Sequence, residues 1–313
     1  MDDNVRRQNF TPKVKPVVVV QNQRRGLRVG ICHTKKAAKP LLDAFAEGVQ
    51  KAGDTPVIIN RKVSVDVIAS CNITIQASAY NKNINPASKE NSLRLQVQST
   101  MKALGRRCLI MDTGCIDSAN YTQIGYGGIK GLASFHNQKS HPDRWLLQKR
   151  EVLPWRADGK NIVILGQNRF GISTQERDIF LWYDETIEEI RKYTDRPIIY
   201  RHHPKCDIDY QNSEVIGSRN TSISTDLENA WCVVAFSTNA VVDAIIHGIP
   251  VFTPDPRSIA YSVGNKNLAE IEQPTTFNRG QWLCDLAYAE WNVEEMRQGL
   301  PWMHLRPYVK DKS

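Results

Sequence analysis

The stretch that decides the fold is VVAFSTNAVVDAIIHGIPV, residues 233–251. Its apolar beginning predicts a buried strand, and the small polar residues Ser237-Thr238-Asn239 predict a turn into a helix over Ala240–His247. Gly248 ends that helix, and Pro250–Thr253 predicts the next strand. A strand, a helix and a strand joined by short connections are typical of a parallel sheet in an α/β protein.

The turn between this strand and this helix is also a candidate anion site. The first main-chain N–H groups of a helix have no partner inside it and carry the positive end of its dipole. The hydroxyls of Ser237 and Thr238 add donors, so a diphosphate or a phosphodiester would fit there. The ordinary alternative is that one of these two residues simply caps the helix.

The same alternation extends upstream of this stretch. Asn161–Leu165 predicts a strand, Thr174–Tyr193 a long amphipathic helix, and Ile198–Arg201 a second strand. A short helix is expected at Thr225–Asn229, before the buried strand Trp231–Phe236. Residues 161–253 therefore predict one Rossmann-like unit.

Basic and histidine side chains stand at the ends of two of these strands. Arg201 closes the second strand and is followed by His202-His203-Pro204, and ligands of open α/β sheets bind at such carboxyl ends. The loop after the first strand carries Gly166 and Arg169, and Arg169 is a candidate partner for a phosphate. Plain turns are the alternative at both places. Two histidines also raise the question of a metal, but no third ligand has convincing spacing, and no metal is expected.

The N-terminal half shows a second series of alternating elements. Its predicted strands are Leu27–Cys32, Pro56–Asn60, Val65–Ile75 and Cys108–Met111, and its predicted helices are Lys39–Ala52 and Ser88–Leu104. Two Rossmann-like units in sequence predict an α/β protein whose two domains face a cleft between them.

The periodicity fails over Asp112–Asn137, which is rich in Gly, Tyr, Ser and Asn around Gly125-Tyr126-Gly127-Gly128. A long loop without regular structure in a compact domain is usually functional. Asp112 leaves a buried strand directly into this segment, so its carboxylate is a candidate general base. Asp117 is the second candidate, and a capping or turn role is the alternative for Asp112.

Length and composition fit two globular domains. The chain has 313 residues, of which 41% are hydrophobic and 24% charged. No apolar stretch is long enough to predict a transmembrane helix, and the polar start lacks the apolar region of a signal peptide. The seven cysteines have irregular spacing, which favours reduced thiols and a cytoplasmic protein.

The formal net charge of +8 favours an anionic partner, with a generally basic surface as the alternative. One basic cluster comprises Arg24, Arg25 and Arg28 together with Lys35 and Lys36. A polyanion such as nucleic acid is one candidate for this cluster.

His203-Pro204 followed by Ser237-Thr238, each after its own strand, resembles the His-Pro motif and the Ser/Thr pair of GT-B glycosyltransferases. Bacterial sialyltransferases, capsule Kdo transferases and teichoic-acid polymerases carry these motifs. The resemblance implies a metal-independent transferase without a cofactor, which takes a nucleotide-sugar as donor and uses His203 and Asp112 in catalysis. Asp112 departs from the family's acidic motif, since only one acid precedes Gly114.

The resemblance also implies a set of donor contacts and a division of the chain. The donor-binding residues would be Gly166, Arg169, Arg201, His203, Ser237, Thr238, Asn239 and Asp243. Residues 1–157 would form the acceptor domain and residues 158–293 the donor domain. Residues 294–313 would return to the first domain, with Met296, Leu300, Trp302 and Leu305 in that contact.

The segment 109–128 is also similar to that of phage-encoded glycosyltransferases, which implies a hydroxymethylated pyrimidine in double-stranded DNA as the acceptor. The residues expected to bind this acceptor are Arg24, Arg25, Lys35, Lys36 and Tyr126. One alternative is a capsule or cell-wall enzyme with a glycan acceptor. Another is a non-catalytic protein that binds a nucleotide or DNA.

Overall fold

A computed structural model describes residues 26–34, 36–85, 88–206 and 208–309. The candidate acceptor residues Arg24, Arg25 and Lys35 lie outside the described residues.

The helices and strands alternate along most of the chain. In the first part they are β1 (Arg28–Cys32), α1 (Lys39–Lys51), β2 (Thr55–Ile59), α2 (Val65–Ala69), β3 (Ile73–Ala77), α3 (Lys89–Ala103), β4 (Cys108–Thr113), β5 (Thr122–Tyr126) and α4 (Asp143–Leu147). In the second part they are β6 (Asn161–Leu165), α5 (Ile179–Arg191), β7 (Ile198–Arg201), β8 (Val215–Ser218), α6 (Ile223–Leu227), β9 (Ala230–Ala235), α7 (Val241–Ile246), β10 (Val251–Phe252), α8 (Gly280–Ala287), β11 (Glu290–Trp291), α9 (Val293–Gln298) and α10 (Leu300–Leu305).

The strands form two sheets, which confirms the predicted α/β fold with two Rossmann-like units. The first sheet has the order β11-β5-β4-β3-β1-β2. Strands β1 to β4 are parallel, and β5 pairs in antiparallel register with both β4 and β11 at one edge. The second sheet, β10-β9-β6-β7-β8, is parallel throughout. Its central strands are almost entirely apolar, as expected for a sheet covered on both faces.

The predicted helices form where an apolar stripe meets a capping signal. In α1, Leu42, Phe45 and Val49 are buried on one face. The side chain of Ser88 caps α3 by accepting a hydrogen bond from the Asn91 amide, and Leu93 lies in its buried face.

The end of the chain packs on the first sheet. Trp302 is fully buried against Phe45, with the ring centroids 6.2 Å apart in an edge-to-face arrangement. The Trp302 indole N–H also donates to the carboxylate of Asp54 at 2.8 Å. Met296 and Leu305 belong to the same apolar cluster, so α9 and α10 complete the core beneath α1.

Two predicted elements were wrong in part. Val65–Ala69, expected within a strand, is the helix α2, in which Ile68 is the buried residue. The helix expected from Thr174 begins only at Ile179, because the Asp178 side chain caps it by accepting the Phe180 amide.

The segment Asp112–Asn137 contains regular structure that the sequence did not predict. Thr122–Tyr126 forms β5, which pairs with β4 in antiparallel register so that Asp112 lies opposite Gln123. No alternation of apolar and polar residues marks this strand, because all but its first residue are buried and two of the buried residues are Gln and Gly.

Candidate functional site

The carboxyl ends of β4 and β9 approach each other and define the candidate site. The Asn239 side-chain amide, beyond β9, donates to the carbonyls of Thr113 and Gly114, each at 3.2 Å. The Lys130 ammonium donates to the Ser237 carbonyl at 2.7 Å. Polar groups from both halves of the chain therefore meet at this place, which we call the cleft.

His203 is placed in this cleft by the close approach of β6 and β7. The Gly166 amide donates to the Arg201 carbonyl at 2.8 Å. A Cβ atom at Gly166 would lie 2.5 Å from the Arg201 carbonyl oxygen and 2.8 Å from the His203 nitrogen. Only glycine fits there without moving the chain around His203.

The hydrogen bonding of His203 fixes the role of its imidazole. Its Nδ1 atom accepts the main-chain N–H of Lys205 at 3.1 Å, so the neutral ring carries its proton on Nε2. Burial and, to a lesser extent, the charges of Lys130 and Lys205 together lower the pKa of His203 to about 4. At neutral pH His203 is thus an uncharged hydrogen-bond donor.

Asp112 is half-buried near the end of β4 and is affected by the same two lysines. Burial raises the pKa of the Asp112 carboxyl, while Lys130, the Thr113 amide and Lys205 act to lower it. Lys130 and Lys205 therefore lie within electrostatic reach of both predicted catalytic residues, one from each half of the chain. A carboxylate with a raised pKa can accept a proton from an acceptor hydroxyl.

Asp117, the second candidate base, caps a turn instead. Its carboxylate accepts the amides of Ala119 and Asn120, and these hydrogen bonds, together with the Asn120 side chain, lower its pKa.

The predicted hydroxyl donors are more buried than the sequence suggested. Ser237 is 0% exposed, and its hydroxyl accepts the side-chain N–H of Gln167 at 2.8 Å. Thr238 is 7% exposed, and its hydroxyl accepts the Ala240 amide at 3.4 Å. The helix that follows, α7, has only 6 residues, so its dipole is small.

Three predicted donor contacts are held in other interactions. Arg201 pairs with Asp226, and Asp243 pairs with Arg150 at 2.9 Å. The guanidinium of Arg169 lies 4.8 Å from the centre of the Phe180 ring. In this structure these side chains order the loops around the cleft.

Of the predicted acceptor residues, Lys36 and Tyr126 lie within the described ranges, and they lie at opposite ends of the strands of the first sheet. Tyr126 is 2% exposed and pairs with Leu109, and its hydroxyl donates to the Leu305 carbonyl at 2.7 Å. It therefore lies at the far end of β4 from Asp112, away from the cleft. Lys36 is exposed just beyond β1, on the same edge of the sheet as Asp112.

Sequence reasoning missed several residues of the cleft. Lys130 follows Ile129, just after the glycine pair Gly127-Gly128, and has no motif that would single it out. Gln167 and Glu290 are buried polar side chains at its base, and Glu290 accepts the amides of Cys115 and Ile116 at 2.5 and 3.2 Å. Arg257 stands 5.3 Å from the centre of the Phe236 ring, and its buried Nη1 atom forms an ion pair with the Asp255 carboxylate at 3.5 Å.

Neither a membrane-spanning helix nor a metal-binding cluster is found in the described ranges. No helix there is long and apolar enough to span a membrane. No group of three or more His, Cys, Asp or Glu side chains in those ranges is arranged to hold a metal ion.

Comparisons with known proteins define the fold. No family model matches the chain, and no curated protein matches its sequence. The structure is similar to the KpsC β-Kdo 2,4 transferase of Thermosulfurimonas dismutans, with a TM-score of 0.56 at 11% identity, covering 86% of this chain and 93% of that one. It is also similar to the KpsC β-Kdo 2,7 transferase of the same organism, with a TM-score of 0.53 at 14% identity, covering 91% and 100%. The chain has the GT-B fold of glycosyltransferases.

Proposed function

We propose that this protein is a glycosyltransferase that moves a sugar from a nucleotide-sugar to a hydroxyl acceptor. The observation that carries the proposal is that Asp112 and His203 lie within electrostatic reach of the same two lysines, Lys130 and Lys205. The hydrogen bond from Lys130 to the Ser237 carbonyl joins the two halves of the chain at this place. In this proposal, Asp112 from the first half of the chain is the proton acceptor, and His203 from the second half binds the phosphate of the donor. The GT-B fold, whose chemistry lies in such a cleft, supports this assignment.

The proposed reaction is a direct displacement at the anomeric carbon. The acceptor oxygen forms a bond to that carbon while Asp112 takes the acceptor's proton. The bond from the carbon to the donor phosphate breaks, and the phosphate oxygen keeps the electron pair. The Nε2–H of His203 donates a hydrogen bond to that oxygen as its negative charge grows. No step in this scheme requires a metal or a cofactor.

The proposal also includes the residues of the donor site and the division of the chain into domains. Gly166 shapes the His203 loop, and Ser237, Thr238 and Asn239 form the opposing turn of the donor site. The boundaries at residues 157/158 and 293/294 stay a prediction.

For the acceptor we propose a glycan hydroxyl. The structural likeness to the two KpsC β-Kdo transferases supports this choice. The alternative acceptor is a hydroxymethylated pyrimidine in DNA, a hypothesis supported by the net charge of +8 and by the resemblance of segment 109–128. The burial of Tyr126 weakens this hypothesis. The DNA acceptor is the second arm of the test.

Incubation with a panel of CMP-, UDP-, GDP- and dTDP-linked sugars tests the proposal. Each donor is offered with oligosaccharides and, separately, with DNA that contains 5-hydroxymethylcytosine or 5-hydroxymethyluracil. Mass spectrometry of the oligosaccharides and of digested nucleosides is the readout. We expect a sugar-sized mass gain on an oligosaccharide. A gain on the nucleosides instead would establish the DNA acceptor, and nucleotide binding without turnover of any donor would establish the non-catalytic alternative.

A further inference from the structure

The position of Lys130 is fixed by contacts between the two halves of the chain. It begins a short 3-10 turn, Lys130–Leu132, and has a left-handed φ of 52° that residues other than glycine rarely adopt. The next amide, of Gly131, donates to the Arg257 carbonyl at 3.2 Å. A Cβ atom at Gly131 would lie 2.2 Å from the Pro256 carbonyl oxygen and 2.4 Å from that of Ser258. The turn is therefore seated tightly on the loop that follows β10, and its strained backbone is a feature often found at functional sites.

The ammonium of Lys130 lies in the cleft and has donors without a protein partner in the described ranges. It donates to the Ser237 carbonyl, and within the described ranges it makes no other hydrogen bond and no ion pair. An ammonium has three N–H groups, so two are available to a ligand. The charge of Lys130 lowers the pKa of both Asp112 and His203, so it lies within electrostatic reach of the groups that would act on acceptor and donor.

Most other cations around the cleft are already neutralised or stacked. Arg201 pairs with Asp226, and Arg150 pairs with Asp243. His203 is uncharged at neutral pH. Lys205 is exposed, so water and salt screen its charge, whereas Lys130 is half-buried.

We infer that Lys130 is a catalytic residue, which reaches across the cleft from the first half of the chain to bind the donor phosphate. This inference rests on the proposed glycosyl transfer. When the bond between the anomeric carbon and the phosphate oxygen breaks, the oxygen keeps the electron pair and gains negative charge. The Lys130 ammonium stabilises that charge without giving up its proton, and the acceptor's proton goes to Asp112.

The test compares Lys130→Met and Lys130→Arg with the wild type in steady-state donor turnover between pH 5 and 9. Lys130→Met keeps most of the side-chain stem but removes the charge, and we expect kcat to fall by about 10²–10³-fold. Lys130→Arg keeps the charge and should recover part of that loss. The matched control is Lys139→Met, because Lys139 is an exposed lysine with a left-handed φ of 59°, and it should leave turnover unchanged.

The pH profile separates a catalytic role from a purely structural one. Lys130 holds the pKa of Asp112 down, so its removal should move the acidic limb of the kcat profile to higher pH. A lysine that only tied the two halves together would change the thermal midpoint without moving that limb. Full kcat in Lys130→Met, or a loss of kcat with an unmoved limb, overturns the inference. A wild type that turns over no donor defeats the proposed function itself and the role of Lys130 with it.

Discussion

The Nδ1 atom of His203 accepts the main-chain N–H of Lys205 at 3.1 Å, which leaves the Nε2–H as the donor that faces the cleft. This hydrogen bond predicts different outcomes for two amide substitutions. Gln can place its side-chain NH₂ near the position of Nε2, whereas Asn can only replace the Nδ1 acceptor. We expect kcat/KM for the donor to fall by about 10²–10³-fold in His203→Ala and His203→Asn, and by clearly less in His203→Gln. Equal activity of the Asn variant and the wild type would contradict this geometry.

The same site predicts an unusual titration of His203. Burial and two nearby lysines lower its pKa to about 4, so the free protein should show a neutral His203 ring at pH 6. A bound nucleotide adds negative charge and should raise that pKa. Imidazole ¹³C chemical shifts followed by NMR, with His203→Gln for assignment, provide the measurement. A pKa near 6.5 in the free protein would show that the ring is neither buried nor close to the lysines.

The proposed base and the second candidate can be separated by paired substitutions. Asp112→Asn removes the proton acceptor, and kcat should fall by about 10²–10⁴-fold while nucleotide binding, measured by calorimetry, changes little. Asp117→Asn should retain most of the activity, since Asp117 only caps a turn. Because the pKa of Asp112 is raised, wild-type kcat should decline as pH falls through that raised value. A larger loss in Asp117→Asn than in Asp112→Asn would exchange their roles.

Substitution of Gly166 tests whether the close approach of β6 and β7 fixes the position of His203. Gly166→Ala adds a methyl group 2.5 Å from the Arg201 carbonyl oxygen, so the loop must shift and the free energy of unfolding should fall by about 1–3 kcal/mol. Donor turnover should fall at least about tenfold with it. Gly280→Ala is the matched control, because the nearest atom to its Cβ is 3.6 Å away, at the start of α8. Similar effects of the two substitutions would argue against a specific contact at Gly166.

Glu290 predicts the pH dependence of stability. This carboxyl is 0% exposed, and burial raises its pKa from 4.5 to about 7. The folded protein therefore keeps a proton that the unfolded chain releases above pH 4.5. The associated stability is fully present below about pH 4.5 and is lost as the pH rises to about 7, by up to about 3 kcal/mol.

Chemical unfolding of the wild type and Glu290→Gln at a series of pH values checks this sign. The variant cannot titrate at this position, so the wild type should lose stability relative to it between pH 5 and 7. Parallel curves for the two proteins would show that Glu290 does not carry the buried proton.

Much of the fold follows from the sequence because strong signals are local. The buried run of β9 and the Ser88 cap of α3 each define an element without help from the rest of the chain. The strands β5 and β11 could not be predicted in this way. Glu290–Trp291 has 2 residues and becomes a strand only because it lies beside Thr122 and Gln123, which are far away in the sequence.

The candidate site shows the same division between local and distant information. His203 and Asp112 follow recognisable strands, and for this reason both could be named from the sequence. Lys130 enters the cleft through a left-handed turn held by residues 256–258, and no sequence pattern marks such a contact. The pairing of Arg201 with Asp226 depends on which side chains meet in space, so the sequence alone suggested a donor contact there.

Release of free nucleotide from a panel of nucleotide-sugars tests the central claim most directly. Wild type and His203→Ala are compared, with His141→Ala as the control, because His141 is an exposed histidine whose side chain is 76% accessible. We expect the wild type and His141→Ala to release nucleotide from at least one donor at equal rates. The rate of His203→Ala should be about 10²–10³-fold lower. Equal rates in all three proteins, or no release from any donor by the wild type, would contradict the assignment of this cleft as a glycosyltransferase site.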